Sequence, residues 1–195
     1  MGLLGGMFDP IHLGHLRAAE IVREALALDE VVFVPAGVPP HRGRPVADGV
    51  DRYAMVALAT AGDRAFVPSD LELRRAGPSY TVETVAELRA RHPQAEVVLI
   101  VGSDNLPMIA EWREPQRLLE MCTVAVVERP GSAPASPGQV PPARLHRIEA
   151  TALPIASRDL REQIRAGRSV RHLVPPPVAE LIKRRGFFGY SLARS

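Results

Sequence analysis

The residues with the plainest chemical capacity lie near the N-terminus, in Gly5-Gly6-Met7-Phe8-Asp9-Pro10-Ile11-His12-Leu13-Gly14-His15. Two glycines end a short apolar run, where they let the backbone turn sharply and approach a ligand closely. His12 and His15, three apart across Gly14, share one face of a first helical turn. Exposed backbone N–H groups and the helix dipole attract an anion there. Two imidazole donors aimed at the same point suit a phosphate whose charge shifts during reaction. A metal reading fails, because HxxH alone offers two ligands and lacks the intervening Glu of HExxH. Either histidine by itself reads equally well as a satisfied loop residue; the whole string favours chemistry.

A second anion seat lies in Pro154-Ile155-Ala156-Ser157-Arg158-Asp159-Leu160-Arg161. Ser157 reads as the N-cap of a helix that stops at Gly167, with Arg161 one turn in. Backbone donors and a bidentate guanidinium then face the same way. An ordinary capped helix is the plain alternative. A third group is spread along the chain: Pro39-Pro40-His41-Arg42, Gly77-Pro78-Ser79-Tyr80-Thr81, Val101-Gly102-Ser103-Asp104, and Trp112 between Glu111 and Arg113. A lone Trp is more often core than ligand platform, but the charged neighbours of this one put part of its ring at a cleft.

Several chemistries are excluded. Lys183 is the only lysine among the 24 basic residues and lies in Ile182-Lys183-Arg184, so no Walker A loop exists. There is no GxSxG elbow, and the single cysteine, Cys122, reads as part of an apolar strand, which argues against a covalent intermediate. One cysteine also rules out an internal disulfide or a CxxC metal site.

These groups need a scaffold to hold them. With 195 residues, 46% hydrophobic, the chain reads as one domain over 1–195 with a C-terminal helical segment at about 157–186. Strands are expected at Leu3–Leu4, Val31–Pro35, Phe66–Leu73, Val97–Val101, Thr123–Val127 and, weakly, Leu145–Ile148. Helices are expected from about Gly14 to Leu28, around Met55–Ala59, from Ser79 to His92 with Ser79 or Thr81 near the cap, and from Pro176 or Pro177 to about Arg185. Ala36–Gly49 and Arg129–Pro142 read as loops. Continuous apolar strands separated by helices predict an α/β fold, a doubly wound, mostly parallel sheet, with ligands outside the carboxyl ends of its strands. The net charge of +2, with arginines interleaved among acids, predicts no nucleic-acid partner. No apolar run approaches a membrane span and no signal peptide is recognisable, so the expectation is a cytoplasmic protein without a membrane partner. Oligomeric state is open.

The N-terminal string resembles the (T/S)xFDPxHxGH signature of the nucleotidyltransferase superfamily, with His12 and His15 as the HxGH pair. The Ile155–Arg161 segment is similar to its second motif, ISSTxxR, with Ile155, Ser157 and Arg161 in register. Together with PPHR, GPSYT, GSD and Trp112, the chain from Leu3 to about Arg184 resembles the nicotinate-nucleotide adenylyltransferase family. Departures are Met7 for Thr or Ser, Arg42 for Lys, Arg113 for an aromatic, and Ala156 and Arg158 in the second motif. The resemblance implies a Rossmann-like fold and transfer of AMP from ATP to nicotinate mononucleotide, with magnesium on the triphosphate. His12, His15 and Arg161 would be catalytic. Gly5, Gly6, Met7, Phe8, Gly14, Gly102, Asp104, Ile155, Ser157 and Arg158 would bind ATP, with Asp104 on the ribose. His41, Arg42, Tyr80, Thr81 and Trp112 would bind the acceptor, with Trp112 stacked on the pyridine. No residue is assigned as a metal ligand. Two alternatives remain: another acceptor (the amide mononucleotide or phosphopantetheine), or a nucleotide-binding module without turnover.

Overall fold

The structure is a computed structural model that describes residues 1–39, 43, 45–128, 133–149 and 153–190. Six parallel strands form one sheet: β1 (Gly2–Gly6), β2 (Val31–Pro35), β3 (Phe66–Pro68), β4 (Val98–Gly102), β5 (Thr123–Glu128) and β6 (Leu145–Glu149), in the spatial order β3-β2-β1-β4-β5-β6. Between and after them lie α1 (Leu13–Ala25), α2 (Gly49–Thr60), α3 (Thr81–Arg91), α4 (Pro115–Met121), α5 (Ser157–Arg165) and α6 (Pro176–Arg185). The central strands are apolar on successive residues because both faces of the sheet are covered. Alternation sends Leu4, Phe33, Ile100 and Ala125 to one face, where α1, α2, α5 and α6 pack Val22, Met55, Leu160 and Ile182. Leu3, Val34, Leu99 and Val126 go to the other face, beneath Val85 of α3 and Leu118 of α4. This is the expected doubly wound sheet.

The strand order reverses between β1 and β4, so the two connections leaving those strands diverge and open a crevice above their carboxyl ends. The Gly5–His15 string and Gly102–Asp104 therefore leave the sheet side by side at that crevice, since β1 pairs with β4.

Local expectations fail in three places. Only Phe66–Pro68 of the segment Phe66–Leu73 is strand. Pro68 has no N–H to extend a ladder, and the chain turns at Asp70, whose carbonyl accepts from Leu73 and Arg74. Cys122 is the C-cap of α4 rather than part of β5, and its thiol faces the Leu118 carbonyl at 3.3 Å. Burial pushes that thiol up to about 11, so it is no nucleophile at neutral pH. The cap of α3 falls where expected, at Tyr80 between Ser79 and Thr81, and Ser79 Oγ accepts from the Gly37 N–H at 2.9 Å. Ala156 is the N-cap of α5, and Ser157 is its first residue. The short α4 and the 3-10 turn Pro107–Glu111, each opened by proline, had no signal in apolar periodicity. No helix among the described residues is long and apolar enough to cross a membrane.

Candidate active site

The chain leaves β1 through Gly5 and Gly6 into a tight turn. A side chain at Gly5 would meet nothing within 4 Å, so the strand end opens directly onto the crevice. One at Gly6 would press on the Phe8 ring at 3.1 Å. Phe8 itself is fully buried with φ of 46°, a conformation that costs a non-glycine residue on the order of 1 kcal/mol. Its ring stands edge-on to the imidazole of His15, centroids 5.0 Å apart.

His12 is the N-cap of α1 in an extended conformation and is 5% exposed. The imidazoles of His12 and His15 stack with centroids 3.6 Å apart and planes 23° from parallel. Gly14 makes this possible, because a Cβ there would sit 3.0 Å from His12 Nδ1. His15 Nδ1 accepts the His12 main-chain N–H at 3.2 Å, which leaves His15 Nε2 as the proton-bearing nitrogen of the neutral ring. Burial lowers the His12 pKa to about 4, and burial together with the adjacent His12 holds His15 well below 6.5. Both rings are thus neutral donors at pH 7. One expected donor is already engaged: the Leu13 N–H bonds to the Leu173 carbonyl at 3.0 Å.

The second motif docks onto the same turn from above. Ser157 Oγ donates to the Pro10 carbonyl at 2.9 Å, and Arg161 Nη1 donates to the Asp9 carbonyl at 2.6 Å. The Arg161 guanidinium also lies 3.7 Å from the Asp9 carboxylate. Among the described residues, the buried side-chain polar atoms left without a hydrogen-bond partner are His12 Nδ1 and Arg161 Nε. Such atoms are costly unless something else completes them. Ile155 packs on the apolar layer beneath, whereas the exposed Arg158 pairs with Glu162 at 3.3 Å along α5. The Ser157 hydroxyl therefore anchors the motif, and Arg158 faces solvent.

On the other side of the crevice, Tyr80 and Trp112 are half-buried against one apolar cluster. The Arg113 guanidinium lies over the Tyr80 ring, 4.6 Å from its centroid. Thr81 opens α3, and exposed Asp104 folds back over Gly102, where a Cβ would come within 2.6 Å of its Oδ1. His41 and Arg42 lie outside the described residues.

Two residues that hold the site together were not singled out from sequence. Asp9, 2% exposed, accepts from the N–H groups of Val46 and Ala47 at 2.9 and 3.0 Å. Arg52, 1% exposed, donates to the carbonyls of Met7 (2.9 Å), Ala36 (2.6 Å) and Ala47 (3.3 Å). They tie the Gly5–His15 turn to the loop after β2. A signal for Arg52 existed: it sits three and four residues before Met55 and Val56, on the buried face of α2.

A model of the cytidylyltransferase-like family matches residues 3–167. A protein of Symbiobacterium thermophilum is 45% identical over 190 residues, covering 93% of this chain and 91% of its own. One of Thermus thermophilus is 45% identical over 188 residues, covering 96% and 98%. Both are named probable nicotinate-nucleotide adenylyltransferase. The chain belongs to the nicotinate-nucleotide adenylyltransferase family. Plasmodium falciparum nicotinic acid mononucleotide adenylyltransferase complexed with NaAD has the same fold, with a TM-score of 0.82 at 18% identity over 98% of each chain. In this member of the nicotinate-nucleotide adenylyltransferase family, the matched stretch 3–167 contains both histidines and Arg161 and ends in the turn after α5.

Proposed function

We propose that this chain transfers AMP from ATP to nicotinate mononucleotide, forming nicotinate adenine dinucleotide and releasing pyrophosphate. The observation that carries this reading is the pair of buried, unpartnered nitrogens, His12 Nδ1 and Arg161 Nε, brought to one turn at the sheet's switch point. A polyphosphate laid across that turn would complete both. The names carried by relatives at 45% identity supply the acceptor. The helical segment 157–186 is then part of the same unit, because α5 delivers Arg161 to the turn.

In this reading a phosphate oxygen of the mononucleotide attacks the α-phosphorus of ATP. The bond from that phosphorus to the bridging oxygen breaks, and its electron pair leaves with pyrophosphate. The nucleophile is already an anion, so no base is needed; alignment and relief of charge repulsion make up the barrier. Fixing both nucleotides could contribute up to ~7–11 kcal/mol. His15 Nε2–H and the His12 imidazole donate hydrogen bonds to the α-phosphate as neutral groups, without transferring a proton. Arg161 exchanges the Asp9 carbonyl for the β- and γ-phosphates. Gly5, Gly6, Met7, Phe8 and Gly14 line the phosphate turn, Gly102 and Asp104 take the adenosine ribose, and Ile155, Ser157 and Arg158 support or flank the triphosphate. Trp112 stacks on the pyridine, and Tyr80 and Thr81 shape its pocket with His41 and Arg42.

Magnesium enters as part of the nucleotide substrate. The donors facing the turn are nitrogens, and both carboxylate oxygens of Asp9 are held by main-chain N–H groups, a set suited to phosphate oxygens rather than to a hard cation. Pyrophosphate release from MgATP, measured with nicotinate mononucleotide, the amide mononucleotide and phosphopantetheine, tests the reading. Preference for the nicotinate acceptor is expected. Equal or better turnover with phosphopantetheine, or tight ATP binding with no release, would overturn it.

A further inference from the structure

Glu72 carries a carboxylate into the interior, 7% exposed, in the turn that Asp70 opens after β3. Thr84 in the first turn of α3, 1% exposed, donates from Oγ1 to Glu72 Oε1 at 2.6 Å. Arg75 Nη1 donates to that same hydroxyl at 3.3 Å. A guanidinium can only donate, so the Thr84 proton is committed to Glu72. Ser79, just before α3, is directed in the same way. Its Oγ accepts the Gly37 N–H at 2.9 Å, and its hydroxyl favours the charged form of Glu72, as do Arg75 and the Gly37 N–H. Burial opposes that charge. The main chain is drawn together at the same place. A Cβ at Gly37 would stand 2.4 Å from the Glu72 carbonyl oxygen, so the loop leaving β2 lies directly on this turn. Ser79 donates its N–H to the Val38 carbonyl at 2.8 Å, beside a parallel bridge between Val38 and Pro78.

We propose that Glu72 is a positioning residue for the acceptor mononucleotide: through Thr84 and Ser79 its carboxylate fixes the entry of α3 against the loop after β2, without touching either nucleotide. This rests on the functional reading above and deepens it. A buried carboxylate is a costly way to fill such a junction, since an apolar side chain of like volume is often at least as stable. What the carboxylate adds is direction. Two hydroxyls, one on each side of the Tyr80 cap, are aimed at it, and charge-assisted bonds of this kind hold geometry more tightly than apolar contact. The residues held between those hydroxyls include Tyr80 and Thr81. The Gly5–His15 turn makes none of these bonds, so the consequence falls on the acceptor rather than on ATP.

The test is initial-rate kinetics with nicotinate mononucleotide and MgATP varied in turn, on Glu72→Gln, Thr84→Val and Thr84→Ser, with Tm measured alongside. Thr84→Val keeps the shape and removes the donor, whereas Thr84→Ser keeps the donor. In Glu72→Gln one oxygen can still serve one hydroxyl, but the NH₂ faces the other. KM for the mononucleotide is expected to rise about tenfold in Thr84→Val and severalfold in Glu72→Gln, with kcat and KM for ATP within about twofold of wild type. Thr84→Ser should restore the wild-type KM. If Glu72→Gln lowers Tm too far for assay, the two threonine variants decide. Equal rises in both KM values, a loss confined to Tm, or a Thr84→Ser variant as impaired as Thr84→Val overturns the assignment while the adenylyl-transfer reading stands. A wild-type chain that releases no pyrophosphate with the mononucleotide overturns that reading and this assignment with it.

Discussion

The imidazole of His15 lies face to face with that of His12, 3.6 Å between centroids, and its Nδ1 accepts the His12 main-chain N–H at 3.2 Å. One hydrogen bond thus fixes the ring's plane, its tautomer and the direction of its remaining donor. Burial lowers the pKa of both rings, and the neighbouring His12 lowers that of His15 further. His15→Ala removes a preoriented donor and is expected to lower kcat by ~10²-fold or more, with circular dichroism and Tm near those of wild type. Turnover within a few-fold of wild type would remove His15 from the α-phosphate.

The same depressed pKa values link stability to pH. In the unfolded chain each histidine gains its proton near 6.5, whereas folded His12 does so only at about 4. Between those values the unfolded state binds more protons, so stability rises with pH. The contribution is complete above pH 6.5 and lost as the pH falls towards 4, an effect of roughly 3 kcal/mol at most for His12. Glu72 acts oppositely: burial raises its pKa above 4.5, so its contribution declines as the pH climbs through that shifted value. Urea unfolding midpoints between pH 4 and 7 should increase with pH, and more gently in His12→Asn. Parallel slopes for the two proteins would mean that His12 takes up its proton at the same pH in the folded and unfolded chains.

Gly14 separates stability from chemistry. Alanine is the better helix former by up to ~1 kcal/mol, so propensity alone predicts a stabilised Gly14→Ala protein. Its Cβ, however, would lie 3.0 Å from His12 Nδ1, 3.1 Å from Cε1 and 3.5 Å from the Leu153 carbonyl. The imidazole stack has to shift, and a donor moved by even part of an ångström no longer meets the phosphate. Turnover should drop at least tenfold while Tm changes by a few degrees at most. Wild-type turnover in this variant would show that the stack tolerates rearrangement.

How far the site was legible follows from what each residue does. His12, Gly14, His15 and Arg161 could be found because close spacing on short turns encodes their geometry, and the central strands because burial on both faces forces unbroken apolar runs. Ser157 misled: a serine before a helix looks like a cap whichever way its hydroxyl turns, and here a bond to the Pro10 carbonyl, 147 residues away in sequence, decides. The end of β3 was hidden similarly, since Leu71 and Leu73 continue the apolar alternation past the proline that stops the ladder. Arg52 was the hardest to foresee. Its partners are three carbonyls on two separate loops, and main-chain acceptors leave no trace in residue identity.

Arg52 is also where the two halves of the site meet. Its guanidinium bonds to the carbonyls of Met7 on the Gly5–His15 turn and of Ala36 and Ala47 on the loop after β2. Desolvation opposes its charge, while Asp9, Asp48 and Glu72 favour it. Arg52→Met fills much of the same volume but leaves three carbonyls unpaired and removes a cation near buried Asp9 and Glu72, a loss of about 3–5 kcal/mol. Arg52→Lys keeps the charge, but one ammonium cannot span acceptors that a planar fork reaches in three directions, so a loss of roughly 1–3 kcal/mol is expected. The Lys variant should still fold, and its KM for the mononucleotide should rise more than its KM for ATP, because Arg52 bonds to the loop after β2 at both Ala36 and Ala47. Chemical denaturation and initial-rate kinetics on the two variants measure both effects. A Met variant as stable as wild type would mean that the three bonds do no more than offset the cost of burying the cation.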